Sequence, residues 1–264
     1  MLRSTRQQHH QRIAQALEAQ FPETVATQPE LVAQHYTEAG CTEQAVRYWL
    51  RAGQQASDRS AHVEAISHCT TGLALLKTLP ETPAHTQQAL TLYVTLGAAL
   101  GMAKGYAAPE VEHAYTQAYA FCQQVGETPQ LAQVLYGLWR YYFAQPQLHT
   151  ARELGETLLH LAHRADAAAL TIIAHYALGF AWFCLGALPA ARRHLEEGIA
   201  HCTLEQRRAL VCRIGHDPGI DCRNYAAMTL WLLGYPEQAL ARVHEALALA
   251  HALSHPYSVA FARC

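Results

Sequence analysis

Apolar residues recur at three- and four-residue spacing along most of the 264 positions, which marks helices that bury one face. The polar punctuation between these stretches comes in pairs. Gly126-Glu127-Thr128-Pro129, Gly186-Ala187-Leu188-Pro189 and Gly234-Tyr235-Pro236 each put glycine where one helix closes and proline where the next opens. Pro83, Pro109 and Pro256 also stand at first-turn positions. The pattern predicts helices over 4–20, 29–39, 42–58, 61–78, 84–104, 109–125, 129–144, 148–164, 167–185, 189–203, 219–233, 236–253 and from 256 onward. An irregular stretch at 204–218 is expected, and no run reads as a strand. Short connections make successive helices antiparallel neighbours.

Small and large residues also recur in a fixed register. Leu178-Gly179, Trp182, Gly186, Ala191, Leu195, Gly198 and Ile199 repeat as Ala227, Leu230, Gly234, Ala239, Val243, Ala246 and Leu247, and again as Ala33, Tyr36, Gly40, Ala45, Trp49 and Ala52. Looser copies hold Gly97, Leu100, Ala114 and Ala118, then Gly137, Ala151, Gly155 and Leu158, with longer loops at 104–108 and 144–147. Two antiparallel helices can cross closely only where side chains are small, so the register predicts an all-α, tetratricopeptide-like right-handed superhelical solenoid. About five to six antiparallel hairpins would fill 27–264. Residues 1–26 are expected to form a helical segment leading out of a missing upstream domain. The helix opened by Pro256 has no polar cap after it, so the repeat reads as truncated at its C-terminus.

Composition narrows the function. Nineteen Lys plus Arg against 21 Asp plus Glu leave a net charge of −2, which supplies no footprint for nucleic acid. None of the eight cysteines forms a CxxC pair, and several sit beside Ala and Leu as small hydrophobes. That usage, with an N-terminus lacking an apolar secretory core, points to a reducing cytoplasm. Residues 167–188 are apolar apart from Thr171 and His175 and are long enough to span a bilayer. Their alanines, glycines and repeat register make them a buried helix instead, so no membrane association is expected.

Seventeen histidines include the helix-face pairs His160/His163, His194/His201 and His244/His251, read as solvated because no second cluster completes a metal set. His201, Cys202, Cys212, His216 and Cys222 gather around the irregular stretch, with packed thiols as the simpler account. His216-Asp217-Pro218-Gly219 reads as a turn whose aspartate bonds nearby amides. No cofactor, metal or catalytic residue is expected. A binding groove is. The first helix of each hairpin would aim Val134, Leu138, Tyr141 and Tyr142, then Tyr176, Phe180 and Phe183, then Asn224, Met228 and Trp231 into one concave stripe. Aromatic side chains give large contact area at low entropic cost, which suits a protein or peptide partner. The competing account packs these rings as core between hairpins. Glu30, Gln34, Thr37 and Glu38 occupy the equivalent N-terminal places, which confines the stripe to 130–235.

His35-Tyr36-Thr37-Glu38-Ala39-Gly40, the stretch from Leu73 to Pro80 and the run from Gly215 to Phe261 resemble the tetratricopeptide-like region of large bacterial signalling proteins. In those proteins a class III adenylate or guanylate cyclase domain is often followed by an AAA-type ATPase and then by this region. The resemblance implies protein interaction or regulation of the ATPase, with other domains of the full-length chain among the partners. The sequence has no GxxxxGK[ST] phosphate loop and no paired aspartates in strands, so cyclase or ATPase activity does not transfer to these residues. The expectation is a non-catalytic scaffold. A fragment of such an enzyme and a small-molecule sensor are the alternatives.

Overall fold

The structure, a computed structural model, describes residues 2–126, 129–203, 216–253 and 256–263. Among them are fourteen helices and no strand: α1 (Leu2–Gln20), α2 (Pro22–Thr27), α3 (Pro29–Ala39), α4 (Thr42–Asp58), α5 (His62–Leu76), α6 (Pro83–Lys104), α7 (Pro109–Val125), α8 (Leu131–Ala144), α9 (Leu148–Arg164), α10 (Ala168–Cys184), α11 (Leu188–Ala200), α12 (Pro218–Leu232), α13 (Pro236–Leu253) and α14 (Pro256–Ala262). Most of the irregular stretch expected at 204–218 lies outside the described residues. Packing divides the chain into two compact units, Met1–Gly137 and Leu138–Cys264, the division falling inside α8.

Helix ends follow the predicted punctuation. Proline opens α3, α6, α7, α12, α13 and α14, where its missing amide proton costs no hydrogen bond. At the closing turns Gly186 and Gly234 take φ of +76° and +85°, a left-handed conformation that only glycine adopts without steric penalty. The next amide then reaches back five residues, from Ala187 to the Trp182 carbonyl at 3.0 Å and from Tyr235 to Leu230 at 2.9 Å. Where the chain lacks glycine, Ser60 and Asp166 take positive φ instead, and the same bond forms from Ala61 to Ala56 and from Ala167 to Ala162. The short α2 was not visible in the pattern. Pro22 starts it, Pro29 follows within seven residues, and Val25 is its sole buried side chain.

In the first unit α4 packs on α5, α5 on α6 and α6 on α7. A Cβ on Gly53 would come within 2.6 Å of Cys69 Sγ, and one on Gly97 within 2.8 Å of the Tyr115 ring. The ring of Tyr115 also fills the space in front of Gly137. α1 packs on α3, with buried Ala14 and Val25 joining Val32, Tyr36 and Ala45. Hydrogen bonds hold that contact too: Glu18 accepts from both Tyr36 and Tyr48, each at 2.5 Å.

In the second unit α10 is enclosed by α9, α11 and α12. Its seventeen residues bury Ile172, Ala174, Ala177, Leu178, Gly179 and Ala181, and no described helix is long and apolar enough to cross a membrane. The predicted crossings hold here. Gly155 meets Leu178, Gly179 meets Leu195, and Gly198 meets Cys222, while Ala191 and Ala239 are buried. Ile220, Ala246, Ala250 and Ala262 make one cluster that ties α12, α13 and α14 together.

Candidate functional site

The ten residues of the predicted stripe separate into layers. Val134 belongs to the first unit and is buried there. In the second unit Leu138, Tyr141 and Tyr176 are buried as well, so they pack between helices and present little surface. Tyr142, Phe180, Phe183 and Asn224 are half-buried. Met228 and Trp231 are exposed, 50% and 66%. They occupy on α12 the register positions that Phe180 and Phe183 occupy on α10.

Rings join the helices of this layer into one network. Phe143 of α8 lies 4.3 Å from Phe180 of α10, and Phe180 lies 4.0 Å from Tyr225 of α12. Tyr225 also approaches Phe183 at 5.8 Å and Phe261 of α14 at 6.0 Å. Beneath them the buried Trp139 meets Tyr176 edge-on at 5.6 Å, the geometry that ring quadrupoles favour. Asn224 donates its amide to the Phe261 carbonyl at 3.1 Å, fastening α14 to α12. Trp139, Phe143, Tyr225 and Phe261 were not among the predicted residues. Trp139, Phe143 and Tyr225 each adjoin a predicted position in the sequence, while Phe261 lies on α14, where no stripe residue was expected. The role of each follows from which neighbouring helix it meets, which spacing within a single helix does not encode.

Coverage explains the exposure on α12. Phe180 and Phe183 are half-covered by Tyr225 of the following helix. On α12 the covering ring of α14 reaches Tyr225, leaving Met228, Trp231 and Leu232 accessible on the same helix. Tyr235, in the next turn, and Leu240 on α13 are exposed too. Met228, Trp231 and Leu232 stand at i, i+3 and i+4 on one face of α12, an exposed apolar group of the kind that marks an interaction site.

The other candidates resolve into packing and turn chemistry. Asp217 caps α12, accepting from the Gly219 amide at 2.9 Å and the Ile220 amide at 3.4 Å, as the turn reading predicts. His216 Nδ1 pairs with the buried Asp221 carboxylate. Burial pushes that carboxyl up, and the His216 contact partly offsets it. Cys202 lies against Gly219, and burial raises the Cys222 thiol well above its ordinary range, the state of an inert packed thiol. Cys212 lies outside the described residues. Among the described residues no group of three or more His, Cys, Asp or Glu is placed to hold a metal ion. His163 and His201 are exposed as expected, whereas His194 is half-buried against the buried His175. A cleft of about 130 Å³ between Leu73, Leu76, Tyr93 and Phe121 in the first unit is smaller than the pockets that enclose drug-sized ligands.

No protein-family model matches the chain. An uncharacterized protein of Rhizobium meliloti (strain 1021) is 22% identical over 265 aligned residues, which take in 98% of this chain and 25% of that protein. The chain therefore spans a quarter of that relative's length. Among solved structures, nearly identical TPR-like repeats named for a kinesin light chain of Podosopora anserina superpose with a TM-score of 0.60 at 16% identity, covering 79% of this chain and 96% of theirs. The fold is a tetratricopeptide-like array of helical hairpins.

Proposed function

We propose that this chain is a non-catalytic interaction module of a larger bacterial signalling protein, working in the cytoplasm. It receives an apolar or amphipathic segment of a partner protein on the aromatic layer of α8, α10 and α12. The observation that carries the reading is the exposure of Met228, Trp231 and Leu232 beside a network of contacting rings. Burying such side chains against a partner releases water from surface that the fold leaves wet, and tryptophan is among the residues that dominate binding energy. The tetratricopeptide-like fold supports a protein partner, as such repeats generally mediate protein association. A relative four times longer and the resemblance to the repeat region of cyclase–ATPase proteins support a place within a longer chain. In that setting residues 1–26 would lead out of the upstream ATPase part.

Selection of peptides from a random displayed library tests the reading. Sequences rich in Leu, Phe and Trp at helical spacing are expected to bind the wild-type chain and to lose binding when Met228→Ser and Trp231→Ala are combined. Recovery of peptides whose affinity is indifferent to both substitutions would move the partner surface elsewhere.

A further inference from the structure

Away from the aromatic layer, three helices bring four histidines together. His175 is buried on α10, and its Nδ1 lies 3.2 Å from Nδ1 of His194 on α11. The ring of His201, at the end of α11, stacks on His175 at 6.2 Å. His163, near the end of α9, and Arg193 on α11 add positive potential at His175. Arg193 also lies 3.3 Å from His194 Nε2, and Glu197 is the acidic group that faces His194. From α12 the thiol of Cys222 comes to the same crossing: a Cβ on Gly198 would stand 2.8 Å from its Sγ and 3.3 Å from His175 Cβ.

Two Nδ1 atoms at this distance dictate a protonation state. One ring donates and the other accepts, so the contact requires that at least one imidazole be neutral. Charging both replaces a hydrogen bond with repulsion between cations a few ångströms apart, in surroundings that screen poorly. We propose that the α10–α11 crossing is a proton-sensitive joint, closed while His175 and His194 share a neutral hydrogen bond and opened when both are charged. The exposed His163 and His201 stand at its mouth, where protons arrive from solvent. This inference does not depend on what the aromatic layer binds.

The sign follows from the direction of the shifts. Burial first, then His194, His201, His163 and Arg193, lower His175 from 6.5 to about 4. Burial and Arg193 lower His194 as well. An opened hairpin binds protons that the closed one refuses, so closure weakens as pH falls through about 6.5 and the loss levels off near 4.

Amide hydrogen exchange of the intact chain between pH 7.5 and 4.5, corrected for intrinsic exchange, measures the joint. The opening constant across residues 168–200 is expected to rise roughly tenfold per pH unit for one proton taken up, while α6–α7, whose histidines are not buried, changes much less. His175→Leu should remove that dependence. Should His175→Leu not fold, the pair His194→Gln and His201→Gln keeps the buried ring but removes two of the charges facing it, and is expected to shrink the loss. An acid-induced opening of 168–200 no greater than that of α6–α7, or one that the folded variants leave unchanged, overturns the proposal.

Discussion

Gly179 and Leu195 meet so closely that a Cβ on residue 179 would stand 2.5 Å from Leu195 Cγ and 3.3 Å from its backbone nitrogen. Two effects oppose each other in Gly179→Ala. Alanine gains about 1 kcal/mol of helix propensity over glycine, and overpacking at a crossing costs about 1–3 kcal/mol. Because the backbone of α11 is part of the obstacle, rotation of Leu195 alone cannot relieve the contact. The variant is expected to be less stable by up to about 2 kcal/mol, read as a lower urea midpoint for the second unit. An increase in stability would mean that α10 and α11 are farther apart than the structure places them.

Arginine pins adjacent hairpins at a repeated place. Arg152 and Arg192 each follow the buried alanine of their helix, and their guanidinium groups lie over the rings of Trp182 at 5.3 Å and Tyr235 at 5.2 Å. Such contacts contribute about 0.5–1 kcal/mol each at partly exposed sites. Replacing both arginines with Ala should therefore lower the stability of the second unit by about 1–2 kcal/mol. The Arg152 replacement alone should also shift Trp182 emission. On α13 the equivalent place holds the exposed Leu240 instead of an arginine.

How much of this was legible depends on whether a feature is written along one helix or between several. The glycine and proline punctuation set most helix bounds because backbone conformation is a local property, and the crossings at Gly179, Ala191 and Ala239 followed from residue size alone. A further hairpin, α4–α5, carries the same offsets as Gly53, Ser60, Ala65, Cys69 and Gly72. Serine at the turn and cysteine at the large position mask the repeat in the sequence, although Ser60 adopts the positive φ that glycine supplies elsewhere. Burial was the part least visible. Tyr176 and Trp231 look alike on a helical wheel, yet the first is buried and the second exposed, since coverage comes from a ring on the following helix.

At the N-terminal end, Glu18 bridges two tyrosines and ties α1 to α3 and α4. Burial, then the Glu18 hydrogen bond, raises both phenols, Tyr48 to about 12. A raised tyrosine pKa adds stability that is fully present below about 10 and is lost as pH climbs through the folded value. Ultraviolet titration should thus show Tyr36 and Tyr48 ionising late in the wild type and nearer 10 in Glu18→Gln. The same variant should loosen α1 by about 1–2 kcal/mol, as expected for losing hydrogen bonds to a charged acceptor, with proteolysis falling first within residues 2–20. Equal phenol titration in both proteins would show that the bridge is not formed in solution.

Tyr225 and Trp231 lie on one helix six residues apart and should answer mutation in opposite ways. Tyr225 touches rings from two neighbouring helices, Phe180 at 4.0 Å and Phe261 at 6.0 Å. Removing it opens a cavity between hairpins, and Tyr225→Ala is expected to cost about 2–4 kcal/mol of stability. Trp231 is 66% exposed, so Trp231→Ala should stay within about 0.5 kcal/mol of the wild type while removing most of the contact surface offered to a partner. Urea unfolding and peptide affinity measured on both variants separate the two roles. If Trp231→Ala unfolds the second unit, the ring is covered in solution and the aromatic layer is core throughout. If it leaves both stability and affinity untouched, the partner docks elsewhere on the array.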